Sequence, residues 1–284
     1  MKRKVFYLTL FLFIWLLFKN YSLVLSTTID AVDLWLYKVF PYLFIMIIVN
    51  DLLLQADFAS FFKTSYFYVF FMSILSGTPT SAFITKELLQ KGNISEKDAN
   101  FILIFTYFCN PLFLFSFFQL LFQNTFISIK LMLIHYFSNA LLLFYYKRFI
   151  HSSTIHKHKI NLNLSSSISK GMTTTTMVLG VIVFYMVLSN IILASVPLNS
   201  TLESLFKGFL EVTQGLNNIA TINVTSKLKE MIALAFISFG GLSIHTQILC
   251  ILENTSLKYS FFLKGRILGT ILALSMYMIL CSLG

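Results

Sequence analysis

Apolar runs recur along the whole of this chain, and several are about as long as the hydrocarbon core of a lipid bilayer is thick. A helix needs about 20 mostly apolar residues to cross that core. The runs lie at residues 5–25, 39–54, 66–75, 101–122, 126–146, 173–193, 231–239 and 261–281. Only 11% of the residues are charged, against about 25% in a typical soluble domain, so a polar surface cannot cover these runs. The sequence therefore predicts an all-α polytopic membrane protein whose apolar side chains face lipid.

The formal net charge is +10, and the cations lie at the ends of apolar runs. That placement is typical of charges that orient spans and contact anionic lipid, and it argues against nucleic-acid binding. Lys2, Arg3 and Lys4 precede the first run, and no small-residue cleavage site follows it. We therefore expect a retained signal-anchor helix with a cytoplasmic N-terminus.

A polar stretch at residues 147–170 divides the chain into halves. It carries a basic cluster of Lys147, Arg148, His151, His156, Lys157, His158 and Lys159, followed by a Ser/Asn-rich tail. The irregular spacing and the competing lysines disfavour a metal site and favour a solvated cytoplasmic linker. We accordingly assign residues 1–38 to the signal-anchor helix and a loop, 39–146 to a first repeat and 171–284 to a second repeat.

Two runs are too short to cross a bilayer, and each ends at a glycine. The first continues into SGTPTSA at residues 76–82, and the second into FGGLSIHTQ at residues 239–247. Aligning Gly77 with Gly240 brings the two motifs into register. If residues 66–91 form a re-entrant hairpin that does not cross the membrane, the basic linker lies on the cytoplasmic side. The positive-inside rule favours this topology. The halves then become inverted-topology repeats with re-entrant or discontinuous helices, as in many secondary transporters.

One group of cations disagrees with this membrane topology. Lys258, Lys264 and Arg266 lie at the start of the last run, which the same topology makes enter the membrane from outside.

Unwound backbone at membrane depth leaves N–H and C=O groups without partners, so it occurs only inside protein or beside a wet cavity. Paired Gly/Pro-interrupted segments therefore predict a solute site, with helix N-terminal ends directed at the ligand. The candidate solute-binding residues are Gly77, Thr78, Pro79, Thr80, Ser81, Asn110, Glu211, Gln214, Gly240, Gly241, Ser243, His245 and Gln247. The alternative for each motif is a kinked helix in which Ser and Thr side chains bond the freed carbonyls.

Three of these candidates rest on separate arguments. Asn110 precedes the proline that interrupts the fourth run, so it either caps a freed helix end or contacts solute. Glu211 is costly at membrane depth and is a functional candidate for that reason, unless it lies on the wet face of an interfacial helix with Glu203 and Lys207. His245 suits proton coupling, although a single histidine more often serves packing.

These two motifs, with NPLF at residues 110–113 and EVTQG at residues 211–215, resemble in this order the sporulation integral membrane protein family of the YlbJ type. The resemblance runs from residue 39 to the C-terminus. That family belongs to a wider group of Gate, or nucleoside-recognition, membrane proteins. The resemblance implies a bacterial cell membrane, a role in sporulation and recognition of a small polar, nucleoside-like solute. Ser81 and Phe83 stand where the family's first motif has a glycine and a lysine, so any contact of that lysine with an anionic ligand is absent here.

Two functions follow from these observations. The chain either transports or recognises a small polar solute through a midplane site, or acts as a non-transporting scaffold or sporulation factor that retains the gate fold.

The sequence has no GxSxG, HExxH or Walker pattern and no metal-ligand cluster. We therefore expect no enzyme activity, no metal and no cofactor. The expected partners are the lipid bilayer and the solute, and homo-oligomer formation stays open.

Overall fold

The computed structural model describes residues 2–151, 161–196 and 198–283. Within these ranges the chain is helical and contains no strand. The helices are α1 (Lys2–Lys19), α2 (Tyr21–Leu34), α3 (Phe40–Gln55), α4 (Ser65–Ser76), α5 (Thr80–Gln90), α6 (Glu96–Phe105), α7 (Pro111–Phe122), α8 (Thr125–Tyr146), α9 (Leu164–Ser195), α10 (Ser200–Leu210), α11 (Val212–Ile219), α12 (Ser226–Phe239), α13 (Gly241–Leu252) and α14 (Tyr259–Leu283). His156, Lys157, His158 and Lys159 of the predicted basic cluster lie outside the described residues.

Five helical segments of the described chain are long and apolar enough to cross a bilayer. They are Tyr21–Gln55, Thr125–Phe149, Leu164–Ser195, Ser226–Leu252 and Tyr259–Ser282. Large apolar side chains cover the outside of the bundle, among them Phe11 on α1 and Phe126 on α8, which are 70% and 75% exposed. An apolar exterior of this kind requires lipid around it. The predicted all-α polytopic membrane protein is therefore confirmed.

The N-terminal region differs from the predicted helix and loop. The first helix ends at Lys19, and α2 continues through a π-helical turn, Trp35–Val39, directly into α3. In that turn the N–H of Phe40 donates to the carbonyl of Trp35. The wider turn makes room for Pro41, whose ring would clash with the preceding turn of a regular helix. The predicted loop before residue 39 is therefore wrong, and the assigned boundary falls inside a continuous helix.

The linker is shorter than predicted, because α9 begins at Leu164 and so includes the end of the Ser/Asn-rich tail. Asn163 starts this helix by accepting a hydrogen bond from the N–H of Ser166 on its side-chain oxygen. Lys170, assigned to the linker, therefore belongs to a membrane-length helix.

Four breaks interrupt helical spans in the described residues, and the glycine motifs predict two of them. The Gly77 break separates α4 from α5, and the Gly240 break separates α12 from α13. The Asn110 break, residues 106–110, separates α6 from α7, and the Glu211 break separates α10 from α11. The fourth apolar run is therefore two helices and not one kinked span.

Each half has the same order of elements: a long helix, two broken pairs and a second long helix. In the first half these are α3, α4/α5, α6/α7 and α8, and in the second α9, α10/α11, α12/α13 and α14. This order pairs the Gly77 break with the Glu211 break and the Asn110 break with the Gly240 break. Our alignment of Gly77 with Gly240 is therefore wrong, while the inverted orientation of the halves stays a prediction.

Two groups of helices pack around these breaks. Helix α14 lies against α6, α8 and α12 and forms the larger core with them. Helices α2, α3 and α9 form a smaller one around Ile47, Val178 and Ile182. The unwound backbone lies between these groups, sheltered from lipid as the cost of unpaired polar groups requires.

Candidate functional site

The two breaks of the first half bind each other. The N–H of Thr78 donates to the carbonyl of Phe108 at 2.7 Å, and its hydroxyl donates to the same oxygen at 3.0 Å. Asn110 Nδ2 donates to the carbonyl of Leu75 at 3.0 Å. A Cβ atom on Gly77 would lie 2.6 Å from the backbone nitrogen of Asn110, so only glycine allows this approach. Each break thus donates hydrogen bonds to backbone carbonyls that lie in the other break or next to it.

Asn110 also starts α7. Its Oδ1 accepts hydrogen bonds from the N–H groups of Leu112 and Phe113 at 3.0 and 3.3 Å. This is a standard N-cap arrangement. Between the two roles that the sequence leaves open for Asn110, the structure shows the cap, and the same residue also borders the cavity described below.

The Glu211 break forms a tight hairpin. A Cβ atom on Gly215 of α11 would lie 2.0 Å from the Cα atom of Gly208 on α10, so the two helices meet backbone to backbone. The Gly240 break rests on this hairpin, since a Cβ atom on Gly241 would lie 3.2 Å from the carbonyl oxygen of Gly208. The breaks of the second half therefore contact each other, as those of the first half do.

Glu211 is 3% exposed and caps α11. One carboxylate oxygen accepts from the N–H of Gln214 at 2.7 Å, and the other from the hydroxyl of Thr213 at 3.3 Å. The wet-face alternative is wrong, because Lys207 pairs with Glu203 at 2.7 Å while Glu211 turns inward. Within the described residues, no cation forms an ion pair with this carboxylate.

The two halves meet at Tyr107, which lies in the Asn110 break and is fully buried. A Cβ atom on Gly240 would lie 2.6 Å from the Tyr107 hydroxyl oxygen. Glycine is required here both for this contact and for a φ of +92°. Through this residue the four breaks form one continuous region.

A cavity of about 100 Å³ opens among the Gly77, Asn110 and Glu211 breaks and helix α13. Its polar wall includes Lys38, Thr78, Asn110, Glu211, Thr213 and Gln247. Its apolar wall comes largely from α3 and α9, through Leu43, Val178 and Ile182. The N-terminal ends of α5, α7 and α11 border it, and α13 reaches it one turn further on. A space of this size holds several waters or part of a small polar molecule.

The structure brings together five of the predicted site residues around this cavity: Thr78, Pro79, Asn110, Glu211 and Gln247. The other candidates lie outside its lining: Gly77, Thr80, Ser81, Gln214, Gly240, Gly241, Ser243 and His245. The three glycines among them shape the breaks. Ser81 supplies a backbone carbonyl, which accepts a hydrogen bond from the Thr85 hydroxyl at 2.8 Å.

Two of the outlying candidates are held elsewhere by hydrogen bonds. Gln214 reaches α9, where Ser189 Oγ donates to its Oε1 at 2.8 Å and its Nε2 donates to Asn190 Oδ1 at 3.1 Å. His245 Nδ1 lies 2.7 Å from the hydroxyl oxygen of Tyr259, and its Nε2 lies 3.1 Å from a backbone carbonyl. His245 therefore packs toward α14 and away from the cavity.

Thr80 and Ser243 lie in the first turns of α5 and α13 and are fully buried. Neither hydroxyl has a hydrogen-bond partner among the described residues. The helices that carry these two residues begin at the breaks, α5 at Thr80 and α13 at Gly241.

Lys38, which is not among the predicted site residues, lies in the π-helical turn and borders the cavity. Its ammonium group lies 5.6 Å from the centre of the Phe117 ring. A lysine between two apolar stretches of one span was the available signal, since a charge at membrane depth marks a functional position by default.

One curated relative supports the family resemblance. The sporulation integral membrane protein YlbJ of Bacillus subtilis (strain 168) is 25% identical, over 88% of this chain and 76% of the relative. No family model matches the chain, and no solved structure matches it. This similarity supports the resemblance that the four motifs indicate: the chain is a polytopic membrane protein that is similar to the sporulation integral membrane protein YlbJ.

Proposed function

We propose that this protein carries a small polar solute across its membrane and that the cavity beside the helix breaks holds the solute. The observation that supports this most directly is that both halves direct unwound backbone, buried polar side chains and helix N-terminal ends at one cavity. Discontinuous helices that meet at a midplane site are the usual construction of secondary transporters.

The chemistry of the lining suits a solute with a polar edge and an apolar or aromatic body. Thr78, Asn110 and Gln247 offer neutral hydrogen-bonding groups, and Tyr42 and Phe113 offer ring surfaces. A nucleoside-like molecule has this combination. Lys38 and Glu211 add charges of opposite sign that are not paired with each other within the described residues.

Rocking of one half against the other would expose this site to each side of the membrane in turn. The similarity to YlbJ leads us to propose further that the transported solute serves sporulation.

The decisive variant is Gln247→Ala. The Gln247 side chain borders the cavity, is 5% exposed and makes no hydrogen bond among the described residues, so its removal breaks no hydrogen bond of the fold. Purified wild type and variant are screened by thermal shift against nucleosides, nucleobases, amino acids and small organic ions. A ligand present at about 100 times its Kd stabilises a protein by about 2.7 kcal/mol. We expect at least one solute to raise the thermal midpoint of the wild type and to raise that of the variant less.

Cys250→Ala is the matched control, since Cys250 lies on the same helix and is exposed. It should respond to the solute as the wild type does and should take it up equally well in proteoliposomes. If no solute shifts the wild type, or if Gln247→Ala responds and transports like the control, the cavity is not a solute site. The scaffold function is then favoured.

A further inference from the structure

Arg266 is the largest fully buried side chain of the described residues. It lies where α14 crosses the broken pairs α6/α7 and α12/α13. Its Nη1 donates to the carbonyl of Ser238 at 3.2 Å, and its Nη2 donates to the carbonyl of Ile104 at 3.1 Å. The Nη2 group also donates to Asn139 Oδ1 at 3.0 Å. One guanidinium group thus joins α6, α8, α12 and its own helix.

The two backbone acceptors occupy equivalent places. Ile104 is the last residue but one of α6, and Ser238 is the last residue but one of α12. Carbonyl groups in the last turn of a helix have no partner within that helix, and they form the negative end of its dipole. The charge of Arg266 therefore lies between two negative helix ends, one from each half.

Two neighbours of Arg266 hold it in this position. The Tyr107 ring lies under the guanidinium group, with Cζ 4.1 Å from its centre. Gly265 lets α14 approach, since a Cβ atom there would lie 2.1 Å from the carbonyl oxygen of Ile104. Tyr107 is also the residue that meets Gly240, so the cation lies directly behind the junction of the two halves.

No carboxylate forms an ion pair with Arg266 in the part of the chain that the structure describes. A cation at membrane depth is expensive unless something compensates its charge. Here the compensation comes from helix ends, an aromatic ring and an amide oxygen. Half-helix C-terminal ends and unwound carbonyls are the groups that secondary transporters use to coordinate a bound cation.

We propose that Arg266 is a built-in cation that fills the place of a bound inorganic ion between the C-terminal ends of α6 and α12. The guanidinium charge, which α14 carries, then holds α6 and α12 together. No ion from solution is needed where these three helices meet. The inference goes beyond solute transport and stands whether or not the cavity binds a solute.

Arg266→Ala opens this place for a chemical replacement. Wild type and variant are purified in detergent with millimolar guanidinium chloride, sodium chloride or urea present from cell lysis onward, and their thermal midpoints are compared. Urea has the planar shape and the N–H donors of guanidinium but no charge. We expect the variant to melt at a lower temperature than the wild type and guanidinium to restore most of the difference. Urea should restore none of it.

Restoration by sodium as well as guanidinium also supports a cation site. Equal restoration by urea, or restoration by no added compound, overturns the proposal. Lys264→Ala is the control, because Lys264 is an exposed cation on the same helix and its variant should respond to none of the three compounds. If Arg266→Ala does not accumulate, Arg266→Lys and Arg266→Gln decide the matter: a higher midpoint for the lysine variant supports the proposal, and equal midpoints contradict it.

Discussion

At Gly77 the backbone has φ of +76° and ψ of −177°, a combination that is essentially restricted to glycine. The residue is also in close contact with the backbone of Asn110. Both constraints come from one cause, the packing of one helix break on another. Single positions of this kind decide whether the unwound region forms at all.

Gly77→Ala should therefore lower stability by about 1–3 kcal/mol from backbone strain alone, and by more because the new methyl group would meet the Asn110 nitrogen at 2.6 Å. The thermal midpoint of the purified protein measures the loss. Gly180→Ala is the control, since a Cβ atom on Gly180 would meet nothing within 4 Å. Equal midpoints for the two variants would mean that the two breaks do not pack as described.

At the scale of the element, the helices begin with the residues that sequence rules favour. Asn110, Asn124, Asn163 and Asn199 each accept a backbone N–H at the start of a helix. These caps satisfy N–H groups that have no intrahelical partner. Asn110 differs from the other three because its Nδ2 also reaches across to the carbonyl of Leu75.

Replacing Asn110 should therefore cost more than replacing an ordinary cap. We expect Asn110→Ala to lower stability by about 2 kcal/mol, about 1 for the cap and about 1 for the bond to Leu75. Asn124→Ala loses a cap alone and should lower it by about 1 kcal/mol. Thermal or denaturant unfolding in detergent compares the two. Equal losses would show that the hydrogen bond between the breaks contributes nothing.

Much of the element order was predictable from the sequence, and the exceptions have physical causes. Gly77 and Gly240 signal their breaks because positive φ favours glycine. The Glu211 break has no such signal, since EVTQ reads as a continuing helix. The break forms where the Glu211 side chain caps α11 and where Gly208 and Gly215 let α10 and α11 pack backbone to backbone. Residues 106–110 are largely apolar, so the proline after them predicts a kink and not a full interruption.

At the scale of the whole molecule, an ionic cluster ties the two halves together at one end of the bundle. Lys170 of α9 pairs with Asp51 of α3 at 2.8 Å and with Glu87 of α5 at 3.1 Å. Asp51 is buried and also accepts hydrogen bonds from Gln55 and Ser167, each at 2.7 Å. Asp51 is buried at the end of an apolar run because Ser167 and Lys170 of α9 cover its carboxylate.

Lys170→Met should lower stability by about 1–3 kcal/mol, because it leaves a buried carboxylate without its cation. The loss should shrink in an Asp51→Asn background, and a double-mutant cycle measures the difference as the coupling energy. Lys207→Met is the control: it breaks a pair within one helix, with Glu203 39% exposed, and should cost about 0.3–0.5 kcal/mol. If the effects of Lys170→Met and Asp51→Asn on stability are additive, the ion pair between Lys170 and Asp51 does not link the two halves.

The contacts within each pair of breaks bear on how selectivity can arise. The N–H of Thr78 is already engaged by Phe108, that of Gln214 by Glu211 and those of Leu112 and Phe113 by Asn110. At these four positions a molecule entering the cavity therefore finds the main-chain donor already occupied, and the lining side chains are left to recognise it. Under the proposed function, exchange of lining residues such as Lys38 and Gln247 would change which solute is accepted, with no change to the main-chain scaffold beneath.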